Sequence, residues 1–315
     1  MVKRLLPAAA CAALLALAAP VAAPASGATA AGASCSGAAA MANFAECGSA
    51  FGSTRVSPSP ARELFEGRGA ERHKELCVGG LRRDGKMEVC RIGRSQASAR
   101  LTIAIIGDSH AAQWRPALSR LAGARGWRVL SLTSSRCDYT TEDFPRIDGP
   151  DQAACTRFRR EVPRWLKRNP SVRSVLFSQL SKAGKGEAAG YQEAWGRLPD
   201  SVQRIGVIRD NPRSRDNARV CVVKAIARGK APGPSCTLAR SRAVRTDSAL
   251  RAAKSFSMPQ TAAIDLTDLF CHDSKCYPVI GGTLVYADGS HQSKAFNRTL
   301  APYLLEQLRA AWPDV

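Results

Sequence analysis

The feature that most constrains the fold is a regular alternation of short apolar runs and helix-like segments that begins at Leu101. Apolar runs bounded by Gly or polar residues predict buried strands, and the segments between them have apolar residues at helical spacing. The predicted strands are 101–107, 127–133, 172–180, 204–209 and 262–265, and the predicted helices are 111–124, 156–168, 187–198, 240–256 and 294–311. Strands that alternate with helices form parallel sheets covered on both faces. We therefore expect an α/β fold of three layers, with a doubly wound parallel sheet of about five strands.

The N-terminal residues have the organisation of an export signal. Lys3 and Arg4 precede an apolar run, Leu5 to Ala19, that is shorter than the roughly 20 residues of a membrane-spanning helix. We predict a signal peptide at residues 1–28, a Cys-containing extension at 29–97 whose start is disordered, and an α/β catalytic domain at 98–315. No other apolar run is long enough to cross a bilayer, so we expect a secreted or envelope-associated protein without a transmembrane helix after cleavage.

The cysteines agree with export. Cys11 lies in the predicted signal peptide, and an even number of other cysteines in an exported chain predicts disulfides. The ten fall into five neighbouring pairs, although sequence alone does not fix the pairing: Cys35 with Cys47, Cys77 with Cys90, Cys137 with Cys155, Cys221 with Cys236, and Cys271 with Cys276. The alternative is zinc, but paired CxxC motifs are absent and histidines are few. We predict no metal site.

The net charge indicates a class of partner. The chain has 46 Lys and Arg and 26 Asp and Glu, a net charge of +20. Removing Lys3 and Arg4 leaves 44 − 26 = +18, a field that attracts anionic polymers. The basic residues are scattered and are not interleaved with aromatic residues, unlike a nucleic-acid platform. For an exported protein we therefore expect an anionic polymer of the cell envelope as partner, and no nucleic acid.

One candidate nucleophile lies at the end of the first predicted strand. In "IAIIGDSHAAQW", an apolar run ends at Gly107 and Ser109 follows at the start of a predicted helix. This position exposes the hydroxyl and directs backbone N–H groups toward a developing oxyanion. Gly107 permits the sharp turn. Taken alone, however, the tetrapeptide is also compatible with a simple helix cap.

A serine needs a base, and His291 is the best candidate. It lies in "YADGSHQS", three residues after Asp288, a spacing that lets the carboxylate orient one imidazole nitrogen while the other faces Ser109. The alternative is a turn at Asp288 and a helix cap at Ser290, and both interpretations are compatible. The other histidines fit less well: His73 in a charged surface segment, His110 directed elsewhere on its helix, and His272 in a short disulfide-linked loop.

Together the two motifs resemble the SGNH (GDSL-type) hydrolase family, and more narrowly the SGNH domains fused to membrane-bound acyltransferase-3 proteins. Supporting segments are "CVGGLRRDGKMEVCRIG", "SSRC", "DNPRSRDNARVC" and "DLTDLFCHDSKCYPVIGGTLVYADGSHQS", and the resemblance covers Cys77 to Leu308. It implies a serine esterase or O-acyltransferase that removes or transfers small acyl groups, often acetyl, on carbohydrate. Ser109 is then the nucleophile and an oxyanion donor, His291 the base and Asp288 its partner. No cofactor is expected, and a membrane acyltransferase is the implied supplier of acyl groups in a transfer reaction.

The chain departs from the broad family at the oxyanion hole. The family has a donor Gly after the second strand and a donor Asn after the third, where this chain has "SSRC" and "SQLS". Losing one donor costs about 2.7–4 kcal/mol of transition-state stabilisation. The replacement candidates are Ser135, Arg136, Ser178 and Gln179. The alternative function is a non-catalytic protein that binds anionic envelope polymer on a degenerate SGNH fold.

Overall fold

The computed structural model describes residues 35–60, 80–81, 87–142, 149–181, 188–215, 218–256 and 260–315. The predicted signal peptide, residues 1–28, lies outside these ranges. From residue 33 onward the chain forms one compact unit. Among the helices of the described ranges, none has the length and hydropathy needed to span a membrane.

The centre of this unit is a sheet of six strands. Its strands are β1 (Cys90–Gly93), β2 (Leu101–Gly107), β3 (Trp127–Thr133), β4 (Ser174–Ser178), β5 (Arg204–Ile208) and β6 (Gln260–Ile264). The order across the sheet is β1-β3-β2-β4-β5-β6. The last five in the chain pair in parallel, whereas β1 pairs antiparallel with β3 at one edge. The parallel, doubly wound sheet is therefore confirmed, with an additional edge strand that the sequence pattern did not predict.

Strand β2 lies in the middle of the sheet and is buried on both faces. Ile103 and Ile105 pack in one hydrophobic core with Trp114, and Ile106 packs in the other with Phe158. Both faces of a parallel sheet must be covered, which explains why the strand is apolar throughout rather than alternating. The two cores establish the three-layer architecture.

Eleven α-helices lie in the described residues. The longer or central ones are α1 (Ser109–Ala112), α2 (Arg115–Arg125), α3 (Gly149–Lys167), α4 (Ala188–Gly196), α5 (Ala218–Ala227), α6 (Ser248–Ser255), α7 (Lys294–Thr299) and α8 (Ala301–Ala311). Three short helices are Ala38–Ala42, Pro232–Ser235 and Arg240–Ala243. Short antiparallel ladders join Gly80–Leu81 with Met87–Glu88, Val279–Ile280 with Thr283–Leu284, and Lys275–Cys276 with both Cys271–His272 and Leu238–Ala239.

Three predicted helices are each divided in two. The predicted helix 240–256 is wrong between residues 244 and 247, because the Asp247 side chain accepts a hydrogen bond from Leu250 N and starts α6 there. The predicted helices 111–124 and 294–311 are divided before Pro116 and Pro302, which lie in the first turns of α2 and α8. Proline lacks the N–H of a helix interior and favours a helix start.

Four of the five predicted disulfides are present. They are Cys35–Cys47, Cys137–Cys155, Cys221–Cys236 and Cys271–Cys276. The fifth predicted pair includes Cys77, which lies outside the described residues, while the Cys90 side chain is buried on β1. Local stapling of neighbouring cysteines is therefore confirmed for these four pairs.

The segment before the sheet packs on the same core as the α/β layers. The helix Ala38–Ala42 buries Met41 in the core that also contains Trp312, and Ala38 N donates to Thr299 Oγ1 at 2.9 Å. Strand β1 also comes from this part of the chain. The boundary at residues 97 and 98, between extension and catalytic domain, stays a prediction.

Candidate active site

Ser109 begins α1 directly after a sharp turn at the carboxyl end of β2. Gly107 has a φ of +145°, and a Cβ atom there would lie 2.0 Å from the Ser178 carbonyl oxygen. Only glycine fits this close approach. Asp108 then caps α1, because its Oδ1 accepts a hydrogen bond from His110 N at 2.7 Å and its Oδ2 one from Leu180 N at 3.2 Å. Hydrogen bonds to both carboxylate oxygens of Asp108 therefore hold the turn. Ser109 lies at the carboxyl end of a parallel strand, where ligand-binding sites of such sheets are usually found.

Ser109, His291 and Asp288 form a continuous chain of short contacts. Ser109 Oγ lies 2.9 Å from His291 Nε2, and His291 Nδ1 lies 2.7 Å from Asp288 Oδ2. The other carboxylate oxygen, Oδ1, accepts hydrogen bonds from the backbone N–H of Ser290 and His291 at 2.8 and 2.7 Å. The fold therefore brings together two motifs that are 182 residues apart in the chain.

These contacts also explain the charge state of Asp288. Partial burial alone would raise the pKa of this carboxyl group. The hydrogen bonds from the imidazole of His291 and from the two backbone N–H groups outweigh it and hold the pKa of Asp288 well below its ordinary value. An ionised carboxylate at this point can hold the imidazole orientation and stabilise an imidazolium.

A network of side-chain amides holds the loop that carries His291. Gln113 accepts a hydrogen bond from Gln292 N at 2.8 Å and donates to Asn211 Oδ1 at 2.7 Å. Asn211 in turn donates to the Ser290 carbonyl oxygen at 2.9 Å. Residues flanking both motifs and the segment after β5 thus meet at one point. Sequence reasoning missed this support, although "AAQW" and "DNPRSRDNARVC" contain the residues.

A second histidine–carboxylate pair lies beneath the first. His110 is 1% exposed, and its Nδ1 lies 2.6 Å from Oδ1 of Asp210, which follows β5. Burial alone would lower the pKa of His110, but the charge and hydrogen bond of Asp210 reverse this and raise it to about 9. The centroids of the His110 and His291 rings are 4.6 Å apart. His110 is thus paired with a buried carboxylate, a contact that the sequence did not predict.

The four candidate oxyanion residues divide into two environments. Ser135 and Arg136 are exposed in the turn after β3, where Arg136 has a φ of +65°. Ser178 and Gln179 are buried at the end of β4, and Gln179 Oε1 accepts a hydrogen bond from Tyr139 N at 3.3 Å. Gln179 Nε2 and Ser178 Oγ have no hydrogen-bond partner among the described residues. Strands β3 and β4 flank β2, and their last residues, Thr133 and Ser178, pair in register with Gly107. All four candidates therefore lie at or just after the strand ends on either side of the Ser109 turn.

Of the two remaining histidines, His272 lies in the described part of the chain. His272 stacks on Phe44, with ring centroids 3.7 Å apart, and His73 lies outside the described residues. The described part of the chain contains no cluster of His, Cys, Asp and Glu suited to a metal ion. The chemistry that this arrangement offers is therefore that of a serine hydroxyl beside an oriented imidazole.

Comparisons with known proteins agree with the fold. A family model described as the SGNH domain fused to AT3 domains matches residues 76–306, more than half of the chain. The periplasmic domain of the lipopolysaccharide acetyltransferase of Salmonella ser. Paratyphi A has a similar structure, with a TM-score of 0.55 and 14% identity. That alignment covers 80% of this chain and 97% of the Salmonella domain. No curated protein matches the chain. The chain belongs to the family of SGNH domains that are found fused to AT3 domains.

Proposed function

We propose that this protein is an exported serine esterase or O-acyltransferase that removes or transfers small acyl groups, of the acetyl type, on carbohydrate. The observation that carries the proposal is the unbroken line of contacts from Asp288 through His291 to Ser109 Oγ. Membership of the SGNH family supports an acyl-ester reaction. The four disulfides support an extracytoplasmic location.

The proposed reaction has two halves. His291 Nε2 takes the proton of Ser109 Oγ as the oxygen attacks the ester carbonyl, and Asp288 stabilises the imidazolium that forms. The imidazolium then gives its proton to the departing alcohol oxygen, which leaves an acyl group on Ser109. In the second half His291 deprotonates water or a sugar hydroxyl, whose oxygen attacks the acyl carbonyl. The imidazolium then returns the proton to Ser109 Oγ as the acyl group leaves as a carboxylic acid or a new ester.

The oxyanion needs donors besides the Ser109 N–H. Gln179 is the best of the four candidates, because its Nε2 group is buried without a partner and a buried unpaired donor is costly unless a ligand uses it. It lies at the carboxyl end of β4, the strand next to β2. Gln179→Ala is expected to lower kcat by about 10²-fold or more, the usual cost of one such donor.

The exposure of the site bears on hydrolysis and transfer. The side chains of Asp288 and His291 are 48% and 33% exposed, so water reaches the base freely. We propose hydrolysis as the outcome for the protein alone. Transfer would require an acceptor that displaces water from the acyl-enzyme, with a membrane acyltransferase as the proposed supplier of acyl groups.

The second candidate function is binding of anionic envelope polymer without catalysis. The absence of the family's Gly and Asn donors favours it, and so does the net charge of +20. The hydrogen-bonded Ser109–His291 pair opposes it, because a binding protein does not need a base beside an accessible hydroxyl.

The test is ester cleavage by the wild type, Ser109→Ala and His291→Ala. Release of product from p-nitrophenyl acetate and of acetate from an acetylated polysaccharide is expected for the wild type alone. His272→Ala is the matched control, since it removes an imidazole of similar exposure that lies elsewhere. A fluorophosphonate probe should label the wild type and not Ser109→Ala. No turnover on either substrate, or equal turnover by the Ser109 variant, would overturn the assignment.

A further inference from the structure

A large groove beside the candidate active site is lined by cations. Its volume is about 1180 Å³, and its lining contains seven Lys and Arg side chains. Helix α5 and the turn after it provide Lys224, Arg228 and Lys230, and the segments 213–215 and 240–245 provide two arginines each. None of the described residues that line it is acidic. We refer to this lining as the basic groove.

Three of these cations have no counter-charge in contact among the described residues. Lys224, Arg228 and Arg242 are exposed, and within the described ranges none of them has a side-chain ion pair or hydrogen bond. Burial and the charge of Arg213 lower the pKa of Arg245, and the charge of Asp210 acts in the opposite direction. Because like charges gathered in one concavity destabilise the fold, such a cluster indicates a bound counter-charge.

The groove is joined directly to the loop of the proposed base. The hydroxyl of Ser214, a lining residue, lies within hydrogen-bond distance of the carbonyl oxygens of Gly289 and Asp288, at 3.1 and 3.4 Å, and of Arg215, at 3.0 Å. The preceding residues of the same segment include Asn211, which holds the Ser290 carbonyl. A ligand in the groove therefore lies next to the loop that presents His291 to Ser109.

The walls of the groove are connected by a disulfide and by a backbone hydrogen bond. The Cys221–Cys236 disulfide ties α5 to the short helix Pro232–Ser235, and both cysteines line the groove. Arg213 N donates to the Ala243 carbonyl at 2.9 Å and fixes the opposite wall. Cations held on a fixed frame bind a repeating anion with less ordering cost than cations on a mobile loop.

The other large cavity differs in its charge balance. It has a volume of about 1000 Å³ and lies between α3 and α4, with Asp200 among its lining residues. Arg197 in that cavity pairs with Glu193, and Arg159 donates to the carbonyl oxygens of Asp138 and Glu142. Its cations are thus partly used within the protein, whereas those of the basic groove are available to a ligand.

We propose that the basic groove binds the anionic groups of a polysaccharide, carboxylate or phosphate, whose acyl ester is placed at Ser109. This inference rests on the proposed function and specifies its substrate: an acylated anionic glycan rather than a neutral one. A concave groove next to the loop of His291 suits a flexible chain that passes the nucleophile, and the described residues of its lining include no aromatic side chain on which nucleic-acid bases could stack.

The binding test uses the full chain with Ser109→Ala, so that no turnover is needed. The groove variant is Lys224→Gln, Arg228→Gln and Arg242→Gln together. The control variant removes the same charge from exposed arginines at the opposite end and edge of the sheet: Arg91→Gln, Arg94→Gln and Arg125→Gln. The probes are an oligogalacturonate, a poly(glycerol phosphate) and a neutral maltooligosaccharide of matched length. Melting temperature monitors folding of both variants.

The expected result is binding of both anionic probes and not of the neutral one, with affinity that falls as salt rises. The groove variant should weaken binding about tenfold and the control variant less than about threefold, as expected for three exposed ionic contacts. Equal losses in the two variants would show a general charge effect and overturn the proposal. Tighter, groove-dependent binding of single-stranded DNA of equal charge would overturn the assignment to a glycan.

A second measurement separates this inference from the proposed function. For the catalytically intact chain, the ratio of kcat/KM on acetylated oligogalacturonate to kcat/KM on an acetylated neutral glycan should fall about tenfold in the groove variant. It should be unchanged in the control variant. Turnover with an unchanged ratio overturns the substrate assignment alone, whereas binding to the groove without any turnover overturns the esterase and leaves an anion-binding protein.

Discussion

Two histidine–carboxylate pairs lie next to each other, and they have the same functional groups but differ in burial and in their separation along the chain. His291 and Asp288 lie three residues apart on one loop and are partly exposed. His110 and Asp210 come from the ends of two strands, 100 residues apart, and are buried. The same pair of groups is thus a proposed proton carrier in one environment and a fixed internal charge in the other.

The difference follows from what each carboxylate does to its imidazole. Asp210 raises the pKa of His110 to about 9 against the opposing effect of burial, so this ring is protonated at neutral pH and cannot accept a proton. His291 has its Nε2 directed at Ser109 Oγ instead. A base must be able to change its charge during the reaction, and a structural cation must not. The pairs can therefore be separated by experiments that read activity and stability independently.

The largest expected effect is on activity at the exposed pair. Asp288→Asn should lower kcat on p-nitrophenyl acetate by about 10⁴-fold, because the amide no longer holds the imidazole in the tautomer that accepts the serine proton. The free energy of unfolding should fall only modestly, because solvent screens the stabilising contacts of the ionised carboxylate at this half-exposed position. Steady-state kinetics and urea unfolding measure the two quantities. A variant with near-normal kcat would remove Asp288 from the mechanism.

The next largest effect is on stability at the buried pair. Asp210→Asn leaves a buried imidazolium without its counter-charge, which typically costs about 3–5 kcal/mol. Asp210 also accepts a hydrogen bond from Ser181 N at 2.8 Å, which adds to its contribution to stability. Urea unfolding measures the loss. The double variant His110→Gln with Asp210→Asn removes both charges and should recover part of the stability. Two losses that simply add would contradict the pairing.

The two pairs should also respond to pH in opposite directions. The folded pKa of His110, about 9, lies above its ordinary value of 6.5, so its contribution to stability is complete below about pH 6.5 and is lost as the pH rises to about 9. The lowered pKa of Asp288 contributes stability above its ordinary value of 3.8, which is lost on acidification. Unfolding free energies from pH 4 to 10 measure the first window. His110→Gln should flatten it, and an unchanged slope would exclude this titration.

The smallest expected effect concerns the amides that hold the catalytic loop. Gln113→Ala removes the acceptor of Gln292 N and the donor to Asn211, which should cost about 1–3 kcal/mol of stability and about tenfold in kcat through a less precise His291 position. Gln113→Glu keeps the acceptor and is the matched control, with a smaller loss expected. The kcat should fall more than KM rises. An effect on KM alone would place Gln113 in substrate binding instead.

The sequence predicts those elements of the fold that a local apolar pattern determines. It does not predict those that depend on contacts with residues distant in the chain. The runs of β2 and β4 are almost wholly buried and could be identified alone, because burial on both faces requires continuous apolar residues. Strand β1 has only four residues, of which Cys90 and Ile92 are buried, and its place depends on pairing with β3. Likewise, the break before α6 depends on the Asp247 cap, a local signal within a helical pattern.

The candidate site divides in the same way. Ser109, Asp288 and His291 stand in two short motifs, so their contact could be expected from the sequence, while their catalytic roles stay a prediction. The partner of His110 could not, because Asp210 reaches it only through the lateral order of β2, β4 and β5. The basic groove also could not be predicted from the sequence, since its cations come from separate segments with other basic residues between them. The fold brings these segments together, and the Cys221–Cys236 disulfide joins two of them.

The disulfides have a consequence for how such a chain matures. Each of the four joins a cysteine to the next one along the described chain in its own segment, with separations of 5 to 18 residues. A chain that enters an oxidising compartment from its N-terminus therefore exposes each cysteine shortly before its native partner. Oxidation in order of arrival gives the native set, so for these four bonds the sequence order itself directs correct pairing and little reshuffling is required.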